Sequence, residues 1–261
     1  MTALRLADAG EAADLAAFLA RLIRYDRAAA VRLQAGGGVL AVFGRPPSFE
    51  VLAIRTARLA DDDRTLDVTV SAGELLEGVE ESADTVTVPA AVTGPPWAGL
   101  LPPRGGWRRV PGLPEPEALV RAVAAAVAEF RARDEELPPQ HRTRTERDRI
   151  GRDIWSRTLG DTHLPLRAAH AAHSLGFLRP ARANALAGGG TSPAAEHATA
   201  DAVNGAEAGA GGPRSAPQAP APTLLAAGGW LRLSTAYGSI AVRTGGPEGL
   251  QGLSGLSVTP T

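Results

Sequence analysis

Between residues 183 and 222 this chain cannot build a core. Ala, Gly and Pro take 26 of these 40 positions, and Phe, Trp and Tyr take none. Such a stretch has too little apolar surface to offset the entropy of ordering it, so it reads as a disordered linker. Beyond it, residues 230–243 (Trp-Leu-Arg-Leu-Ser-Thr-Ala-Tyr-Gly-Ser-Ile-Ala-Val-Arg) read as two short strands about a turn. Leu231 and Leu233 then pair across from Ile240 and Val242. A lone two-stranded hairpin is marginal in water, so this one must dock on its own body or on a partner. A flexible linker of this length spans about 35 Å, ample to bring the hairpin home.

The body it would dock on begins within residues 1–90. Leu15, Phe18, Leu19, Leu22 and Ile23 repeat at helical spacing and predict a helix over 11–25 with one apolar stripe. Four strand signals follow: Val31 and Leu33 alternating with Arg32 and Gln34, then 39–43, 49–55, and Leu66, Val68 and Val70 alternating with Asp67 and Thr69. Gly36-Gly37-Gly38, Arg45-Pro46-Pro47-Ser48 and Asp61-Asp62-Asp63 make the turns. Connections this short force antiparallel neighbours. The three glycines lead into a strand and not a helix, so they read as a hairpin turn, not a phosphate-binding loop. The expectation is a four-stranded antiparallel meander with the helix across one face. Its open edges are where the C-terminal hairpin can add its backbone hydrogen bonds. Leu231, Leu233, Ile240 and Val242 should then be buried.

Residues 91–113 form a Pro/Gly-rich strap carrying Trp97 and Trp107 with Arg104, Arg108 and Arg109. With so few aromatics elsewhere, these tryptophans read as closing the edge of the core; stacking on nucleic-acid bases is the alternative. Residues 114–182 are helical: 114–133 with Leu119, Val123, Val127 and Phe130 on one face, 142–159, and 165–178. The middle helix carries Arg142, Arg144, Arg147, Arg149, Arg152 and Arg157 among Glu146, Asp148 and Asp153. These six arginines are the candidate surface for a protein partner or for DNA. The run Ala168-Ala169-His170-Ala171-Ala172-His173-Ser174-Leu175-Gly176-Phe177 is similar to the middle of a helix-turn-helix. The recognition helix it requires is interrupted by Pro180 and then by Gly188-Gly189-Gly190. His163, His170 and His173 cluster, and the i, i+3 pair with Asp161 or Asp153 would make a metal site. The bland alternative is a pair of histidines in an Ala-rich helix. The organisation is therefore α+β: 1–90, the strap 91–113, the Arg-rich helices 114–182, the linker 183–222, a docking hairpin at 223–245 and a flexible tail at 246–261.

Composition removes several function classes. There is no Cys, hence no disulfide, thiolate nucleophile or thiolate metal site. No run of about 18 apolar residues and no N-terminal apolar segment occurs, so a cytoplasmic protein away from membranes is expected. A Gly-x-Ser-x-Gly elbow, a Walker loop, a dinucleotide fingerprint and a zinc-protease helix are all missing. No catalytic residue and no cofactor is assigned. All 27 basic residues are Arg. They are unevenly placed: residues 1–90 hold 9 Arg against 14 acids, residues 100–182 hold 15 against 10. Two such surfaces attract one another or different partners.

The block from Leu15 to Arg58, together with 230–243, resembles a widespread actinomycete protein group, that of the AmfC-type aerial mycelium formation regulators of Streptomyces. The resemblance implies control of morphological differentiation, that is aerial mycelium formation and sporulation, and carries over no catalytic or ligand residue. The functional expectation is a non-enzymatic regulatory or protein-interaction protein. A DNA-binding regulator using helices 142–178 is the alternative, and a metal-dependent enzyme using His163, His170 and His173 is the second.

Overall fold

A computed structural model describes residues 2–179 and 220–244. The expected linker, save its last three residues, and the tail at 246–261 lie outside the described residues. Along the chain run β1 (Thr2–Arg5), α1 (Ala9–Tyr25), β2 (Ala30–Gly36), β3 (Val39–Gly44), β4 (Leu52–Arg58) and β5 (Leu66–Ser71). Then come α2 (Ala72–Glu77), β6 (Val79–Glu80), β7 (Thr85–Val88), β8 (Arg108–Val110), α3 (Pro116–Glu135), α4 (Arg144–Trp155) and α5 (Leu166–Ser174). The C-terminal strands are β9 (Thr223–Ala227), β10 (Trp230–Thr235) and β11 (Gly238–Arg243).

α1 forms as its sequence dictates. The Asp8 carboxylate accepts from the Glu11 N–H at the N-terminus, and Leu15, Phe18, Leu19 and Leu22 are buried along one stripe. The strands it covers are antiparallel, but their order differs from a simple meander. The main sheet runs β5-β2-β3-β4-β11-β10-β9-β8, so β5 pairs with β2 and not with β4. The connection 59–65 carries the chain past the β2–β3 turn: the Leu59 N–H donates to the Gly38 carbonyl, and Asp62 lies against Gly38. Gly38 has a φ of +71°, which favours glycine, and a Cβ there would stand 2.3 Å from the Asp62 Oδ1, so that side chain would have to turn aside. This is a Greek-key order, and it leaves the edge of β4 free.

β11 takes that edge, pairing Ser239 with Ile54, Ile240 with Ala53 and Ala241 with Leu52. The hairpin therefore docks in cis, and Leu231, Leu233, Ile240 and Val242 are all buried in the main core. It is larger than expected. β9 adds a third strand and β8, from within the strap, adds a fourth. β9 begins at Thr223, directly after the Ala- and Pro-rich stretch, within the 223–245 segment expected to hold the hairpin.

The two half-sheets repeat one another. Six pairs from Val39↔Arg58 to Gly44↔Ala53 join β3 to β4, and six from Trp230↔Arg243 to Thr235↔Gly238 join β10 to β11. Laying the first set on the second places Ile54 on Ser239, and these two residues are paired with each other. A local twofold axis thus passes between them. The turns obey it too: Gly37 and Gly38 (φ +57° and +71°) match Gly228 and Gly229 (φ +51° and +75°). Two successive residues at positive φ are what the tightest hairpin turns need.

α1 contacts β4 and α5 contacts β11 on the same face of the sheet, where Phe18 and Phe177 stack at 5.7 Å between ring centres. A small sheet, β1-β7-β6, extends this layer with buried Leu4, Val86 and Val88. The Arg-rich helix is shorter than its sequence pattern suggests. Thr143 caps it by accepting from the Glu146 N–H, so Arg142 precedes it, and Arg157 follows its last residue, Trp155.

Candidate functional site

The arginines of the α4 segment pair with acids around them. Arg157 donates to Glu129 at 2.6 and 2.8 Å, and Arg133 donates to Asp153 at 2.6 Å. Hydrogen bonds from Arg157 hold the Glu129 carboxyl below the ordinary range, and those from Arg133 do the same for Asp153. Arg147 reaches Asp134 at 2.7 Å, Arg149 reaches Glu146, and Arg144 lies 3.8 Å from Asp148. Arg142 donates to the Leu137 and Glu135 carbonyls at the end of α3. Of the six, Arg152 alone has no partner among the described residues. The pattern is an ion-pair lattice that fastens α4 to α3.

The histidines do not converge on a metal position. Among the described residues no group of three His, Asp or Glu side chains could hold an ion. His170 is stacked on Trp155 at 4.3 Å and meets Phe49 edge-on at 5.0 Å. Burial, and secondarily His173, pushes its pKa down. His163 and His173 are exposed. Gly176 (φ +74°) turns the chain so that Phe177 enters the core, and the recognition helix of the helix-turn-helix reading lies outside the described residues.

On the helix-covered face, one arginine closes the joint between the half-sheets. Arg55 of β4 is only 6% exposed. It donates to Glu11 at 3.0 Å, to Asp14 at 3.2 Å and to the Tyr237 carbonyl at 3.0 Å. Arg179 reaches Asp14 from the other side and lies over the Tyr237 ring at 3.8 Å. Every charge in this set has an opposite neighbour, so it reads as a structural latch.

The opposite, outer face is different. Phe43, Leu52, Ile54, Trp230 and Ala241 form a second apolar cluster there, and the strap lays Trp97, Leu101 and Trp107 over it. The Trp107 indole N–H donates to the Pro103 carbonyl at 3.0 Å, which pins the strap's turn. Among the described residues, three clefts touch the strap, and two of them hold buried residues of this cluster. One, of about 250 Å³, is lined by Val51, Leu52, Trp97, Leu100, Trp230, Ala241 and Val242, with Arg45, Arg167, Arg243 and Glu50 among them. None of these three arginines has a hydrogen-bond or ion-pair partner among the described residues, and the Arg167 Nε is buried. The second cleft, of about 320 Å³, holds Arg232, a half-buried residue with a buried and unpartnered Nε. Desolvation lowers the Arg232 pKa, and its guanidinium faces the Trp107 ring at 5.7 Å.

Sequence reasoning did not single out Arg45, Arg167, Arg232 or Arg243. The alternation Leu231-Arg232-Leu233 does place Arg232 on the outer face. That it would meet Trp107, more than a hundred residues away, has no local signature.

Residues 102–247, more than half of the chain, match a family model described as a domain of unknown function, DUF8185. The chain belongs to the DUF8185 family. Residues 1–99 match a second model, a domain of unknown function, DUF8010. No curated protein matches, and no solved structure does. The DUF8010 and DUF8185 regions meet inside the strap, and each supplies half of the main sheet. Both of these clefts take residues from the two regions.

Proposed function

We propose that this DUF8185 protein is a non-enzymatic interaction protein that binds an acidic, partly apolar segment of a protein partner in the cleft at Arg45, Arg167 and Arg243. The observation that carries the reading is the contrast between two sets of arginines. Arg133, Arg144, Arg147, Arg149 and Arg157 are paired with Glu129, Asp134, Glu146, Asp148 and Asp153, whereas these three stand beside Trp97, Trp230 and the 57%-exposed Leu100 with no carboxylate partner among the described residues. Aromatic and arginine side chains around an apolar floor are the composition of energetic centres in protein interfaces. The Glu50 carboxylate at the rim restricts where an acidic partner can sit.

The resemblance to the aerial mycelium formation regulators supplies the process, control of morphological differentiation, and the cytoplasm is the matching compartment. Among the described residues no helix is long and apolar enough to cross a membrane, which fits that placement. Binding of DNA through α4 has weaker support, because phosphates would have to displace carboxylates already held by Arg147, Arg149 and Arg157.

The test compares the full chain with an R45E/R243E variant, both exposed positions, by cross-linking in the native cell and by binding of the recovered partner. The reading expects affinity to fall at least about tenfold with the unfolding temperature unchanged. Undiminished partner binding contradicts it. Binding of random DNA duplex that collapses between low and physiological salt, and that needs the α4 arginines, favours the DNA alternative.

A further inference from the structure

The second outer cleft is built differently from the first. Its floor is Ala41, Phe43, Ile54 and Thr56 of β3 and β4, and its roof is Pro102 and Pro103 of the strap. Arg232 and Arg104 supply two positive charges, and among the described residues no acidic one lines it. Asp67, beyond Gln34, is held by Arg32 at 2.7 Å and by Gln34 at 3.3 Å; its charge is felt by Arg104 at the rim, and it makes no bond to Arg232. A half-buried guanidinium without an anion is a costly thing to keep in a fold. The Trp107 face offsets part of that cost. The position itself has no need of charge: the twofold relation of the half-sheets puts Ala41 where β10 has Arg232.

We infer that Arg232, with Arg104 at the rim, binds the anionic head of a small organic molecule whose apolar body lies on Phe43 and Ile54 beneath the strap. The head is a carboxylate or a phosphate monoester, since both present the paired oxygens that a guanidinium fork recognises. A cleft of about 320 Å³ lies at the small end of the range for ligand sites. This site is separate from the cleft at Arg45, Arg167 and Arg243, and it stands whether or not that cleft binds a protein.

The test is isothermal titration of the full-length protein with hexanoate, hexyl phosphate, inorganic phosphate and the uncharged hexanamide. Binding of hexanoate or hexyl phosphate, at least about tenfold tighter than hexanamide, is expected, and the better of the two identifies the head group. R232M should abolish that preference while unfolding at the same or a higher temperature, because it removes an unpartnered buried charge. A41L, which fills the floor and leaves both arginines in place, should weaken binding as well. No binding of either organic anion, equal binding of hexanamide, or inorganic phosphate binding as tightly as hexyl phosphate would overturn the inference. So would unfolding of R232M, which would make Arg232 a structural residue.

Discussion

Arg55 and Arg232 occupy opposite faces of one sheet and show two uses of a strand arginine. Arg55 is enclosed by Glu11, Asp14 and the Tyr237 carbonyl, whereas Arg232, among the described residues, meets an indole ring and an open cleft. The alternation around each residue tells which face it takes. Its partners come from 41 residues away or more, so the sequence pattern does not separate latch from ligand site. His170 carries a similar lesson: its i, i+3 spacing with His173 suggests a metal pair, while Trp155 and Phe49 enclose it as an aromatic side chain. Its folded pKa lies below the ordinary value, so the unfolded chain takes up the proton more readily. The stability this gives is present above about pH 6.5 and is lost as pH falls through the folded value. Denaturant unfolding between pH 7.5 and 5 should show that loss, and H170F, which keeps the ring stack, should reduce it. An unchanged slope in H170F would place the pH dependence elsewhere.

Among the elements, α1 and the β10–β11 hairpin are legible because their apolar periodicities are unbroken over several repeats, and the register of Leu231 and Leu233 with Val242 and Ile240 follows from the turn. β5 is legible as a strand but not in its place. A seven-residue connection reaches either the edge of β4 or that of β2, and Leu59 bonding to Gly38 decides between them. β1 and β6 are too short for a pattern to emerge. Docking of the hairpin on the segment that follows α5 needs Gly238, whose φ is +152° and where a Cβ would stand 2.5 Å from the Phe177 ring. G238A should therefore cost about 2–3 kcal/mol in denaturant unfolding, since neither the ring nor the paired backbone can move aside cheaply. A cost below about 0.5 kcal/mol would mean that the hairpin end is loosely held.

At the scale of the whole molecule, the charge asymmetry of the sequence resolves into mostly local pairing. Within the basic section, Arg133, Arg147 and Arg157 pair with acids between α3 and α4, and Arg179 with Asp14 is a pair that links it to the acidic section. Arg45, Arg167, Arg232 and Arg243 keep no carboxylate partner among the described residues, and the two proposed binding sites are built on them. This arrangement depends on the DUF8010 and DUF8185 regions forming one continuous sheet through β4 and β11, although two separate family models match them. Native-state hydrogen exchange tests that claim most directly. Amides of β3, β4, β10 and β11 should all exchange with one free energy, equal to that of global unfolding. If β10 and β11 exchange at a clearly lower free energy than β3, the C-terminal strands open as a separate unit, and the single sheet that carries both clefts is contradicted.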